Sequence, residues 1–350
     1  MRILSIITVA LNEAKNIPRL KQSIDSLVIP DGISVETVLV DNGSQDETVR
    51  IACKHGYHVL ASAPNLNLAS CRNVGIESSS GDWLAFIDAD CEIDKDWLLS
   101  MEPFLQLDSA ILIGWPVRPP SPATWVQRAW QTHWSQKTNL VEMQYDRQVV
   151  AHDAYRLICT NNMAFSRAVS DMLGGFDISL HTGEDSDFAI RASNAKVNVL
   201  GLPQMGVIHH GEPATLKAFY RQQTWHMNLS AYNTAIQGFK VPRGLNALLF
   251  TCLFGVLLLV FAMSITMFCV STEIIFLPFI FLLPTFLLLL ATRTSFRAQK
   301  PRQLLPLCVV YFVFGIARLA KVLGIVRTDR SWRVSCKLHS GQGKTNAVDA

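Results

Sequence analysis

Charge is scarce in this chain: Asp, Glu, Lys and Arg make up 17% of its 350 residues, against 49% apolar side chains. A sequence this long and this poor in charge holds the core of an ordinary domain with apolar residues to spare. Cysteine is also used sparsely. The 8 cysteines form no C-x-x-C pair and show no metal-ligand spacing, which excludes a cysteine-ligated metal centre. Cys71 and Cys91 read as small buried thiols, and a reducing cytoplasm fits the scatter. A cleavable leader is not expected either. Met1-Arg2 runs straight into Ile3-Leu-Ser-Ile-Ile-Thr-Val-Ala10, and polar Asn12-Glu13 stands where a cleavage region would be.

The charges that are present are unevenly placed. From residue 241 onward there are 12 Lys and Arg against 3 Asp and Glu, or +9; the first 240 residues hold the remaining 19 and 25, or −6. Arg243 and Glu273 bracket an uncharged run rich in Leu, Phe and Val, longer than the roughly 20 residues that a bilayer-crossing helix needs. A second run, Ile274 to Thr292, is also of spanning length. Ser271-Thr-Glu273 leaves room only for a tight hairpin between them, and Pro278 and Pro284 should bend the second run. We expect spans near 245–270 and 274–292. Residues 304–326 are either a third span or a re-entrant or interfacial helix, because Arg318 and Lys321 interrupt them. Arg293, Arg297, Lys300 and Arg302 follow the second run, and a basic tail, 327–350, follows the third. The positive-inside rule then sets the N-terminal domain, the basic loop and the tail on the cytoplasmic side of a plasma or inner membrane. Basic residues beside apolar runs point to anionic membrane lipids as partners rather than nucleic acid.

The first 214 residues read differently. Apolar runs of strand length, near Ile3–Ala10, Val35–Val40, His58–Ala61, Trp83–Asp88 and Ile111–Trp115, alternate with helix-like stretches near Ile17–Leu27, Glu47–His55, Ala69–Glu77 and Asp96–Leu107. That alternation predicts an α/β domain around a mainly parallel sheet, with ligands beyond the carboxyl ends of the strands. Polar clusters fall at those ends: Asn12-Glu13, Asp41-Asn-Gly-Ser-Gln-Asp46 and Asp88-Ala-Asp90. If the strand stays extended to its tip, Asp88 and Asp90 point the same way. Two carboxylates held close suit a hard divalent cation, Mg²⁺ or Mn²⁺. Residues 115–156 stand apart, with prolines at 116, 119, 120 and 122 and tryptophans at 115, 125, 130 and 134. They form an acceptor platform, a lip at the membrane, or a long loop packed on the domain. Residues 215–243, with Phe219, Tyr220 and Trp225 among basic and amide side chains, read as an interfacial amphipathic helix and linker.

Seven segments in order make the chain resemble the family 2 glycosyltransferases over roughly residues 3 to 235. They are Ser5-Ile-Ile-Thr-Val-Ala-Leu-Asn-Glu13, Val38-Leu-Val-Asp-Asn-Gly-Ser-Gln-Asp46, Cys71-Arg-Asn-Val-Gly75, Phe86-Ile-Asp-Ala-Asp90, Thr160-Asn-Asn-Met-Ala-Phe165, Gly174-Gly-Phe-Asp177 and Gly183-Glu-Asp-Ser-Asp187. The resemblance implies a GT-A fold, a Rossmann-like nucleotide-diphospho-sugar transferase domain, ahead of the C-terminal transmembrane helices. It also implies a nucleotide-diphospho-sugar donor, a divalent cation and inversion at the sugar carbon. On that footing Val9, Leu11, Glu13, Asp41, Arg72 and Asp88 contact the donor, with Val9 and Leu11 standing where the family often has Pro and Tyr. Asp88, Asp90 and His210 hold the metal. Asp185 is the base, kept ionised by the start of a helix, and Glu184 helps to position the acceptor or its loop. The Q-x-x-R-W motif of processive synthases would fall at Arg221-Gln-Gln-Thr-Trp225, which lacks its Gln and Arg. Transfer of one sugar to a lipid-linked or membrane-borne acceptor is therefore expected. A processive polysaccharide synthase and a non-catalytic nucleotide-sugar-binding membrane scaffold are the alternatives.

Overall fold

The computed structural model describes residues 1–62, 66–142, 149–150, 157–180, 182–226 and 243–326. The basic tail and most of the linker beyond residue 226 lie outside them. The strand β1 (Arg2–Ala10) sits in the middle of the soluble part and is buried along most of its length. Such a near-continuous apolar run suits a parallel strand covered on both faces. It pairs in parallel with β2 (Ile33–Asp41), which pairs with β3 (His58–Ala61), and on its other side with β4 (Trp83–Phe86). The helices α1 (Ile17–Asp25), α2 (Thr48–Lys54) and α3 (Leu68–Glu77) connect these strands. Gly75 of α3 lets the helix lie close on the sheet: a Cβ there would come 2.4 Å from Ile7 Cγ2.

Beyond Phe86 the chain forms β5 (Cys91–Ile93), a short α4 (Glu102–Leu105), β6 (Ile111–Gly114), α5 (Trp125–Glu142), β7 (Val149–Val150), β8 (Met163–Ser166), α6 (Arg167–Leu173), α7 (Glu184–Asn194), β9 (Asn198–Gly201), β10 (Val207–His209) and α8 (Leu216–His226). The main sheet runs β3-β2-β1-β4-β8-β6-β9-β7, and β10 and β5 form a separate antiparallel pair. One core cluster packs α1 and the Trp97–Leu105 turns on one face; the other packs α3, α6 and α7 on the opposite face.

Three expectations need correction. The sheet is mixed rather than mainly parallel, because β8 inserts antiparallel between β4 and β6. Its four residues carry no period of their own, and only long-range pairing gives them a direction. The region 96–107 holds a 3₁₀ turn, Leu99–Met101, and the four-residue α4 rather than one helix. Pro103 limits it, having no N–H to extend the preceding turn. Finally, β4 ends at Phe86, and Cys91 N–H donates to Asp88 O at 3.0 Å. The two carboxylates thus sit on a tight turn, not at alternate positions of a strand.

The apolar part contains α9 (Arg243–Ser271), α10 (Leu277–Ile280), α11 (Leu282–Arg297) and α12 (Leu304–Val322). Among the described residues, three stretches are long and apolar enough to cross a membrane: Leu249–Ser271, Ile274–Arg297 and Pro301–Val322, with mean hydropathies of 2.6, 2.7 and 1.8. The second is interrupted at Phe281, where Pro284 has no N–H to offer the Ile280 carbonyl. The tryptophan-rich segment proves to be largely helical and faces these helices. Val126 and Ala129 of α5, Phe219 of α8 and Val310 of α12 share one buried cluster, and Trp130 packs on Phe219 and Phe314 at 4.9 and 5.7 Å between ring centroids. A buried polar chain closes the joint: His133 Nδ1 lies 2.9 Å from the Tyr311 hydroxyl, which lies 2.8 Å from Thr294 Oγ1.

Candidate active site

The carboxyl ends of β1, β2 and β4 carry Glu13, Asp41 and the Asp88–Asp90 turn to one edge of the sheet. Asp90 lies at the centre. Its Oδ1 is 3.1 Å from His209 Nε2, and the ring's Nδ1 is 3.1 Å from Glu212 Oε1. Burial pushes the Asp90 carboxyl up, but the His209 contact outweighs that and holds it below the usual carboxylate range. Burial likewise favours a neutral His209, yet the carboxylates of Asp90 and Glu212 hold its imidazolium well above the ordinary value. Gly211 completes the corner, since a Cβ there would stand 2.1 Å from Asp90 Oδ2.

Of the adjacent histidines it is thus His209, not His210, that faces Asp90; His210 turns its Nε2 to Glu92 at 3.1 Å. Pairing of β10 with β5 sets this register, His209 lying opposite Cys91. Sequence could not choose between two neighbouring histidines because the strand that aligns them is only three residues long. Glu212, four residues before Leu216, was missed; its spacing of three from His209 was the available signal.

Ligand atoms of Asp90, Cys91 and His209 lie within 4.8 Å of one another. Cys91 is unsuited to a hard cation: burial raises its thiol well above the ordinary range, and Sγ lies 3.8 Å from the Asn161 carbonyl. Two carboxylates and an imidazole fit Mg²⁺ or Mn²⁺ better. Asp88 has 40% of its side chain exposed toward the cleft, and protein around it raises its carboxyl, against the pull of Arg72. Glu13 is pushed up to about 7, first by burial, despite the 2.6 Å hydrogen bond from Asn16 Nδ2, and with help from Asp90, Asp88 and Asp46. An anionic pocket that protonates its own members is one a cation would relieve.

On the other side of the cleft, Arg72 of α3 and Glu184 at the start of α7 form an ion pair, each side chain only 5% exposed. Arg72 Nη2 also lies 4.0 Å from Asp88 Oδ1. Arg72 therefore braces the acidic turns and offers little of its fork to the cleft. Glu184 is buried as its partner rather than presented to an acceptor. The neighbouring Asp185 is half-buried, its Oδ1 accepting the Ser186 N–H at 2.6 Å. The turn into α7 is made by Gly183 at φ +81, a conformation that glycine adopts without strain. Asn73 ties α3 to the turn after α6: its side chain donates to the Phe176 carbonyl at 2.9 Å and accepts from the Phe176 N–H at 2.8 Å.

The remaining donor candidates sit along the first two strands. Asp41 is buried, its carboxylate accepting N–H groups of Gly43 at 3.1 Å and Ser44 at 3.0 Å, so it shapes the loop below the cleft. Val9 and Leu11 are half-buried at the end of β1.

The fold and this edge define an α/β domain of GT-A type: strand ends bearing an acidic turn, a histidine facing it and, joined to the turn through Arg72 and Glu184, the start of the helix that carries Asp185. Residues 5–172 match the family described as Glycosyl transferase family 2, and the chain carries a domain of that family. Among curated proteins it is 37% identical over 99 residues to glycosyltransferase AglE of Haloferax volcanii, covering 27% of this chain and 32% of the relative. It is 33% identical over 92 residues to an uncharacterized glycosyltransferase of Haemophilus influenzae, covering 25% and 29%. The match thus spans about a third of the length of these relatives. Among solved structures, the mannosyltransferase PcManGT from Pyrobaculum calidifontis, in complex with GDP-Man and Mn²⁺, superimposes with a TM-score of 0.64 at 16% identity. It covers 92% of this chain and 87% of that one, so the likeness of fold extends into the apolar helices.

Proposed function

We propose that the chain is an inverting glycosyltransferase that moves one sugar from a nucleotide-diphospho-sugar to a lipid-linked or membrane-borne acceptor. The observation that supports this reading is that Arg72 contacts both Asp88 and Glu184, which brings the helix start carrying Asp185 toward the Asp88–Asp90 turn. Asp185 takes the proton of the acceptor hydroxyl on one face of the sugar while the nucleoside diphosphate leaves from the other. Asp88, Asp90 and His209 would hold a divalent cation, which when bound takes up charge on the leaving diphosphate. Glu13 closes the acidic side of the donor cleft.

The acceptor class follows from anchoring. The catalytic domain is seated on α12 through α5 and α8, and Lys300 of the basic loop donates to Ser135 of α5 at 3.1 Å. Domain and basic loop thus share one side of the membrane, which the positive-inside rule makes the cytoplasmic side. In this reading α9 and the α10–α11 segment cross as a hairpin, and α12, docked on soluble helices, lies at the interface. Nucleotide release by the full chain in detergent, over a panel of nucleotide sugars with Mn²⁺, tests the reaction. No release with any donor would leave only the non-catalytic scaffold, and polymer on a supplied acceptor would point to a processive synthase.

A further inference from the structure

The helix α5 has two working faces. Val126, Ala129, Trp130 and His133, spaced i, i+3, i+4 and i+7, make one stripe and pack on α8 and α12. Gln131, Trp134, Ser135 and Thr138 repeat the same spacing on another side and line a cavity of about 230 Å³. Trp115, Arg118, Gly206 and Val207 also line it.

We propose that this cavity is an acceptor subsite that binds one neutral pyranose ring, so that the acceptor is itself a saccharide; the inference rests on the function proposed above. The lining is of the right chemistry. Two indoles supply flat apolar faces with a polar tip, and an amide and two hydroxyls lie on one helix stripe between them. The Ser135 and Thr138 hydroxyls donate to helix carbonyls, both at 3.0 Å; Ser135 Oγ also accepts from Lys300, which leaves it one lone pair, and Thr138 two, for sugar hydroxyls. Size agrees: the volume is below the roughly 300–1,000 Å³ of clefts that take drug-sized ligands, and suits one ring. Charge agrees as well. Arg118 Nη2 is held by Asp94 Oδ1 at 2.6 Å and Lys300 Nζ by Ser135 Oγ at 3.1 Å, so each of these two cations beside the cavity already has a partner.

Position gives the cavity its place in the reaction. The lining residue Val207 precedes His209 by two positions on β10, a separation of roughly 6–7 Å along a strand. Arg118 is strapped to the same strand, its N–H donating to Val207 O and its carbonyl accepting from His209 N–H, both at 2.9 Å. At the other end, Ser135 receives Lys300 from the basic loop. A ring held here lies between the membrane side and the reacting edge, one sugar back from the acceptor hydroxyl.

The test is saturation-transfer NMR on the full chain in detergent, with methyl hexopyranosides as probes, inorganic phosphate as competitor, and donor hydrolysis measured in parallel. Saturation of at least one methyl hexopyranoside is expected, unaffected by phosphate. It should be lost in Gln131→Ala and in Ser135→Ala, with donor hydrolysis unchanged in both. Gln131→Leu, which keeps the side chain's bulk, guards against a folding defect and should lose the signal equally. Absence of saturation with every glycoside, saturation that survives all three substitutions, or displacement by phosphate would each overturn the subsite. Hydrolysis without glycoside binding defeats the subsite alone. Glycoside binding in a chain that hydrolyses no donor defeats the function proposed above.

Discussion

Arg72 and Glu184 lie 112 residues apart in the chain and meet as a buried ion pair under the cleft. The pair ties the Cys71-Arg-Asn-Val-Gly75 segment to the Gly183-Glu-Asp-Ser-Asp187 segment, and Asn73 ties the first of these to Gly174-Gly-Phe-Asp177 through the backbone of Phe176. Burial disfavours the charged form of both partners, yet their mutual attraction keeps Arg72 firmly protonated. Glu184 Oε2 has no hydrogen-bond partner among the described residues.

Breaking this pair should therefore cost stability as well as activity. Glu184→Ala leaves the buried guanidinium with only the 4.0 Å contact to Asp88 and is expected to destabilise the domain by about 3 kcal/mol, the low end for severed buried pairs. Denaturant unfolding of the full chain checks it; a loss below about 1 kcal/mol, the range of exposed pairs, would show that the pair is not buried in solution.

Asp185→Asn should leave donor affinity unchanged and lower transfer by about 10²–10⁴-fold, the usual contribution of a positioned base. Calorimetry with the donor separates the two effects. Transfer at the parental rate would remove Asp185 from the mechanism.

Asp90→Ala and His209→Ala should each weaken the dependence of nucleotide binding on Mn²⁺, whereas His210→Ala should not. Gly211→Ala should act like a mild version of the first, because its methyl group would displace the Asp90 carboxylate. Nucleotide titrations with and without Mn²⁺ decide; equal effects from the two histidines would contradict the placement of His209.

Glu13 makes the cation-free protein sensitive to pH. Its carboxyl is raised from 4.5 to about 7 on folding, so the folded chain holds this proton more tightly than the unfolded one. The stabilisation is complete below pH 4.5 and is lost as pH rises through about 7. At about 1.4 kcal/mol per unit between 4.5 and about 7, the loss is about 3–4 kcal/mol. In chelator, melting temperature should fall across that window, and Glu13→Gln should flatten the fall. A flat profile in the parental chain would be inconsistent with a buried Glu13.

Phe219 is fully buried between α5 and α12. Phe219→Ala should cost about 3–5 kcal/mol, the range for emptying an aromatic site. Limited proteolysis between residues 226 and 243 should quicken if the seat of the catalytic domain is loosened; an unchanged rate would argue that α8 is held elsewhere.

Much of this was legible from residue order. The runs of β1, β2 and β4, the helices between them and the apolar helices follow from local periodicity and length, which neighbouring residues carry. The acidic turn and the Asp185 helix start could be located because each is a short contiguous pattern. What could not be read depended on who lies beside whom. The four residues of β8 acquire a direction only by pairing with β4 and β6. Position alone offered Arg72 and Glu184 to ligands; packing gives them to each other.

By itself, the sequence determined the α/β class, the apolar helices and the edge of the sheet where the polar residues gather. Those properties reside in hydrophobic period, run length and the rule that strand ends carry the site. Tertiary structure decided that His209 rather than His210 faces Asp90, that Asp88 and Asp90 share a turn, and that α5 shows one stripe to the membrane helices and another to a cavity. Each is a choice between local alternatives of nearly equal energy, and only contacts far along the chain separate them.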